Sequence, residues 1–159
     1  MAPAVSDPMA EMAEISEMTG QRVYIDTNVF IYFLSGHSTY FEASSRVINA
    51  CAESSIFGFT GDAAVAEVMV GAYKHADPTL AARFKLFFAQ RNFLTIATHD
   101  AQTFDATAQL VAKGGLKFID ALHIATAINS QCVYFVTNDK GIKSSAHLKV
   151  VQLEQLVSK

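Results

Sequence analysis

Cysteine is scarce in this chain: Cys51 and Cys132 are the only two in 159 residues, far apart and each in an apolar segment. That usage reads as reduced structural thiols in a cytoplasmic protein, with a disulfide between them as the lesser alternative, and excludes a scaffold stapled by several disulfides. Charge is sparse as well, at 17% against 51% hydrophobic residues and a mean hydropathy of +0.24, which excludes disorder over most of the chain. Long apolar runs are missing too. The longest uncharged stretch, Ala121 to Asn138, carries His123 and is broken by Asn129-Ser130-Gln131, so no membrane span is expected. The N-terminus lacks a basic segment followed by an apolar one, so no secretory signal is read, and no internal repeat or low-complexity segment is visible in the domain. A chain of 159 residues fits one domain with a substantial core.

The net charge of −3 at first argues against a polyanionic partner. Its source is local. Residues 1–19 hold Asp7, Glu11, Glu14 and Glu17 with no Lys or Arg, leaving 11 acids to 12 bases in the rest of the chain. This segment, with two prolines and several methionines, reads as a mobile or weakly helical extension, and the domain is expected over residues 20–159. Composition neither demands nor forbids nucleic acid.

Within the domain, short apolar runs alternate with helical periodicity. Strands are expected at Arg22–Ile25, Ile56–Thr60, Phe93–Ala97, Cys132–Thr137 and Leu148–Gln152. Helices are expected at Val29–Leu34, Tyr40–Ser54, Asp62–His75, Pro78–Gln90, Ala101–Lys113 and Ile119–Asn129, with Pro78 suited to a first helical position. The strand runs are nearly continuous in apolar residues, as when helices cover both sheet faces. The expected fold is therefore α/β, a three-layer α/β/α sandwich with a central parallel sheet of four to five strands.

Four acids stand where such a chain presents side chains at one sheet edge. Asp26 interrupts VYIDTNVFIYFL, Glu67 lies in an apolar helical stretch, Asp120 opens FIDALHIATAI, and Asp139 ends CVYFVTND. Open parallel sheets bind ligands beyond the carboxyl ends of their strands. Asp120 reaches that edge if its helix begins there. Each acid alone has a plainer reading as a buried hydrogen-bonded Asp, a helix-dipole partner, a turn residue or a solvated helical Glu. Together they describe a pocket for a divalent cation, and an all-oxygen donor set selects Mg²⁺ or Mn²⁺ over zinc.

The order Asp-Thr-Asn in VYIDTNVFIYFL, Glu in AVAEVMVGAY, then KFIDALHIATA and FVTNDKGIK resembles PIN-domain nucleases, especially VapC-type toxins of bacterial toxin–antitoxin pairs. The resemblance runs from about Val23 to Leu153, and the last two motifs at this spacing are its most specific part. It implies metal-binding acids at Asp26, Glu67, Asp120 and Asp139, with Asn28 and Thr137 as polar residues beside them. It further implies metal-dependent cleavage of single-stranded or looped RNA, leaving 5′-phosphate and 3′-hydroxyl ends. The implied partners are a second copy of the chain and a small antitoxin protein.

A second class, an aspartate-based phosphatase or phosphoacceptor domain using Asp26, fits less well, because Asn28 stands where the phosphatase pattern wants a second Asp. A PIN-domain nuclease of RNA processing outside a toxin pair, and an inactive binding module, also stay open. Asp62 and Asp100 read as helix caps or first-turn acids. His123, three residues after Asp120 on the same helix face, reads as structural, with a phosphate- or water-orienting role as the sharper alternative. Phe84, Phe87, Phe88 and Phe93 leave core packing and a partner surface both open.

Overall fold

The computed structural model describes residues 15–90 and 92–157. Five parallel strands form one sheet in the order β3-β2-β1-β4-β5: β1 is Arg22–Ile25, β2 Phe57–Gly61, β3 Leu94–Ala97, β4 Tyr134–Thr137 and β5 Lys149–Gln152. Between them run α1 (Thr27–Ser35), α2 (Phe41–Ala52), α3 (Asp62–Lys74), α4 (Pro78–Ala89), α5 (Ala101–Ala112) and α6 (Phe118–Asn129), and a short 3₁₀ turn covers Leu153–Leu156. The expected three-layer parallel architecture is the one observed, with most boundaries displaced by a residue or two.

Strand alternation makes the layers. Val23 and Ile25 of β1 and Val136 of β4 point into one core, shared with Val29 and Phe30 of α1, Val47 of α2, Val68 of α3 and Phe84 of α4. Their neighbours Tyr24 and Phe135 point the other way, into a smaller core with Phe59 and, from α6, Ala127. Both faces are buried, which is why the strands read as continuous apolar runs. Phe84 and Phe88 are core residues, and Phe87 and Phe93 pack against them partly buried, Phe88 meeting Phe30 with ring centroids 5.2 Å apart. The last part of the N-terminal segment joins the fold. Residues 15–17 make a helical turn and Met18 is fully buried in the larger core, so ordered structure begins before residue 20. The expected flexibility of residues 1–14 lies outside the described residues.

Local chemistry fixes the helix ends. Asp26 leaves β1 in extended conformation and its carboxylate accepts from the Thr27 amide, so α1 starts two residues earlier than its apolar pattern suggested. Gly36 closes the same helix in the left-handed region at φ 66°, its amide reaching the Tyr32 and Phe33 carbonyls. Asp77 caps α4 ahead of Pro78, and Asp100 caps α5 through Thr103. Helix α3 has no such cap at Gly61; instead the His99 ring nitrogen Nε2 accepts from the Ala63 amide at 3.0 Å. Among the described residues no helix is long and apolar enough to cross a membrane.

The strand order puts the reversal of direction at β1: the chain moves outward through β2 and β3, then returns to β4 on the other side. Such a switch point opens a crevice at the carboxyl ends of β1 and β4, where α/β folds bind ligands.

Candidate functional site

Asp26 and Thr137 sit at that crevice, on the two strands that flank it. The Asp26 amide continues the ladder by donating to the Val136 carbonyl at 3.0 Å, which sets the Asp26 side chain beside that of Thr137. The Thr137 hydroxyl donates to Asp26 Oδ2 at 2.7 Å and accepts from the Asp139 amide at 3.0 Å and from Asn28 Nδ2 at 3.3 Å. A hydroxyl has one proton and two lone pairs, so this one is fully committed. Thr137 therefore fixes Asp26 and the Asp139 backbone and has no lone pair left to hold a water.

Asn28 completes the bracket. Its Oδ1 accepts from the Asn138 amide at 3.0 Å, tying α1 to the turn after β4. The Asp139 carboxylate accepts from the Gly141 amide at 2.8 Å, an Asx-type turn that restrains this side chain just past β4.

Glu67 reaches the crevice from the second turn of α3. Its Oε1 accepts from Thr27 Oγ1 at 2.8 Å and from His123 Nε2 at 2.6 Å. The same His123 nitrogen lies 3.9 Å from Asp26 Oδ1, so one buried imidazole stands between two of the acids. Sequence reading placed His123 on the Asp120 face of α6 but not at this junction. The three-residue spacing was the available signal; its partner Tyr24 is 99 positions away and left none.

Asp120 lies in the first turn of α6, where the helix dipole favours a negative charge. No described residue donates a hydrogen bond to its carboxylate. Desolvation raises its pKa most, then the nearby Asp139 and Asp26 carboxylates, with His123 and Lys117 opposing. Asp26 is also held up, chiefly by burial, against His123 and its hydrogen bonds. Burial pushes Glu67 upward as well, but the His123 and Thr27 hydrogen bonds outweigh it and its net displacement is downward. Pairwise, the Glu67 charge acts on Asp26, and the Asp139 and Asp26 charges act on Asp120.

Lys117 acts on Asp120 only at a distance. Among the described residues no Lys or Arg forms an ion pair with any of these acids. The donor set suits a hard divalent ion: carboxylate oxygens, no thiolate, and an excess of negative charge. As the side chains stand, no three His, Cys, Asp or Glu among the described residues are close enough together to grip an ion at once. Asp120, with no hydrogen bond to its carboxylate from any described residue, is the acid left freest to close that gap.

The PIN domain family matches residues 23–148. The chain belongs to the PIN-domain family. Solved structures carry the same fold. A toxin–antitoxin complex from Klebsiella pneumoniae matches with a TM-score of 0.66 at 21% identity, over 82% of this chain and 97% of that one. VapBC2 from Rickettsia felis, solved bound to a DNA fragment from their promoter, matches with a TM-score of 0.65 at 18% identity, over 82% and 98%. The Mycobacterium tuberculosis toxin VapC20, described as cleaving the sarcin-ricin loop, matches with a TM-score of 0.60 at 10% identity, over 71% and 86%. No curated protein matches the chain in sequence.

Proposed function

We propose that this PIN-domain protein is a divalent-metal-dependent endoribonuclease, the toxin of a toxin–antitoxin pair, acting in the cytoplasm. What supports the reading is the electrostatic coupling of Asp26 to Glu67 and of Asp120 to Asp26 and Asp139 near the carboxyl ends of β1 and β4, with no Lys or Arg among the described residues ion-paired to them. Mg²⁺ or Mn²⁺ is the ion this donor set favours. Bound there, it would lower the pKa of a water and offset charge building on the scissile phosphate.

The chain's own residues do the rest. Asp26, Glu67, Asp120 and Asp139 hold the ion. Thr137 and Asn28 keep Asp26 in place through the 2.7 Å and 3.5 Å contacts to its Oδ2. Lys117 at the start of α6 and the exposed Lys143 lend positive potential to an approaching RNA strand. Phosphotransfer through an Asp26 nucleophile is disfavoured, since that carboxylate is buried and hydrogen-bonded at both oxygens.

Structural neighbours include toxin–antitoxin complexes and a toxin described as cleaving the sarcin-ricin loop, which supports RNA as substrate and an antitoxin as partner. Exposed apolar side chains on the helices of one face, Ile31, Phe41, Val70, Tyr73 and Leu86, offer surface for that antitoxin and for a second copy in a homodimer. The test is cleavage of total RNA with Mg²⁺, with Mn²⁺ and with EDTA, followed by end mapping. Metal-dependent cuts with 5′-phosphate ends, lost in Asp120→Asn, are expected. Cleavage undiminished in EDTA, or retained by Asp120→Asn, overturns the reading.

A further inference from the structure

His123 is almost fully buried, with its side chain 2% exposed, yet both ring nitrogens are in use. Nε2 meets Glu67 Oε1 at 2.6 Å and Nδ1 meets the Tyr24 hydroxyl at 2.8 Å. A carboxylate can only accept, so Nε2 carries a proton and donates whatever the charge of the ring. In the neutral ring, Nδ1 is then the acceptor and the Tyr24 hydroxyl donates to it. The result is a line of contacts from the smaller core to the crevice: Tyr24, His123, Glu67.

Glu67 needs such a holder. Its side chain is 40% exposed on α3, and ordering a Glu side chain costs up to about 2 kcal/mol of rotamer entropy. Two donors, His123 Nε2 and Thr27 Oγ1, converge on the one oxygen Oε1. Oε2 accepts no hydrogen bond from any described residue and is the oxygen left for a cation. The imidazole also stands 3.9 Å from Asp26 Oδ1, setting the separation of the two acids. Tyr24 is itself fixed, stacked on Phe135 with centroids 5.0 Å apart.

We propose that His123, oriented by Tyr24, is the positioning residue of the metal site, holding Glu67 so that a single carboxylate oxygen faces the cation. The inference rests on the metal-centre reading above. Neither residue touches the ion or the RNA; both act through Glu67.

Equilibrium Mn²⁺ titration of the full chain, with folding checked by circular dichroism, tests it. His123→Leu should weaken Mn²⁺ binding about tenfold to a hundredfold, the range for losing a residue that orients a ligand. His123→Gln, whose amide nitrogen can replace Nε2 as donor, should recover most of that loss. Tyr24→Phe keeps the stacked ring, removes only the hydroxyl, and should weaken binding by a smaller factor. It keeps the test open should His123→Leu fail to fold. A merely structural role predicts lowered melting temperatures with unchanged Mn²⁺ affinity in every folded variant, and that result overturns the proposal. Wild type binding Mn²⁺ normally while the variants match it refutes this inference alone. Wild type binding no Mn²⁺ refutes the metal-centre reading and this inference with it.

Discussion

Replacing Thr137 by Val removes one oxygen and keeps the shape of a fully buried side chain. That oxygen donates to Asp26 Oδ2 at 2.7 Å and accepts from the Asp139 amide and Asn28 Nδ2. A hydrogen bond to a charged group contributes about 1.5–3 kcal/mol, and the two weaker partners are partly reached by water, so the net loss should be about 2–3 kcal/mol. With a urea slope of about 2 kcal/mol/M, the midpoint should fall by about 1–1.5 M without a change of slope. The measurement is urea unfolding in EDTA at a single fixed pH. Thr137→Ser separates the hydroxyl from the methyl: it retains the donor and loses one buried methyl, about 0.8 kcal/mol. A Val variant that unfolds within about 0.3 M of wild type, or a Ser variant as weak as Val, would refute the argument that the hydroxyl holds Asp26.

Asp120→Asn should abolish RNA cleavage yet raise the melting temperature of the metal-free protein. The sign follows from its raised pKa: the folded state binds this proton more tightly than the unfolded one, so wild-type stability is lost as pH climbs from the ordinary carboxyl range through the folded value. The advantage of Asn should thus vanish near pH 4 and grow towards pH 8; melting scans in EDTA showing a constant or inverted difference would count against the crowded acidic crevice. Millimolar Mn²⁺ should raise the wild-type melting temperature, by about 2.7 kcal/mol of stabilisation at a hundred times the dissociation constant, and leave Asp120→Asn far less affected. At Gly61, an added Cβ would lie 2.6 Å from Cε1 of the His99 ring that caps α3, so Gly61→Ala should cost about 1–3 kcal/mol, with His99→Ala relieving part of it in the double variant. Additive losses in a denaturation cycle would exclude that contact.

The parts legible in the sequence were those set by neighbours along the chain. Continuous apolar runs gave β1 to β5 because both faces are covered, and Asp77-Pro78 marked the start of α4 because a cap and its first helical residue are adjacent. The acids stood out because each interrupts apolar surroundings. What escaped was non-local or dual in role. Asp26 is at once the cap of α1 and a crevice carboxylate, so the helix begins at Thr27, not Val29. His99 caps a helix from a loop 36 positions away, and Tyr24 orients His123 across 99 positions. Met18, read as part of a mobile extension, is a fully buried member of the larger core. Pattern along a chain carries no record of such meetings.

The most direct measurement is anomalous diffraction from crystals of this protein soaked in Mn²⁺. The account predicts a peak at the carboxyl edge of β1 and β4, among Asp26, Asp120 and Asp139, with Glu67 Oε2 turned towards it. A fully occupied ion elsewhere with this crevice left bare, or no ion at saturating Mn²⁺, would contradict it.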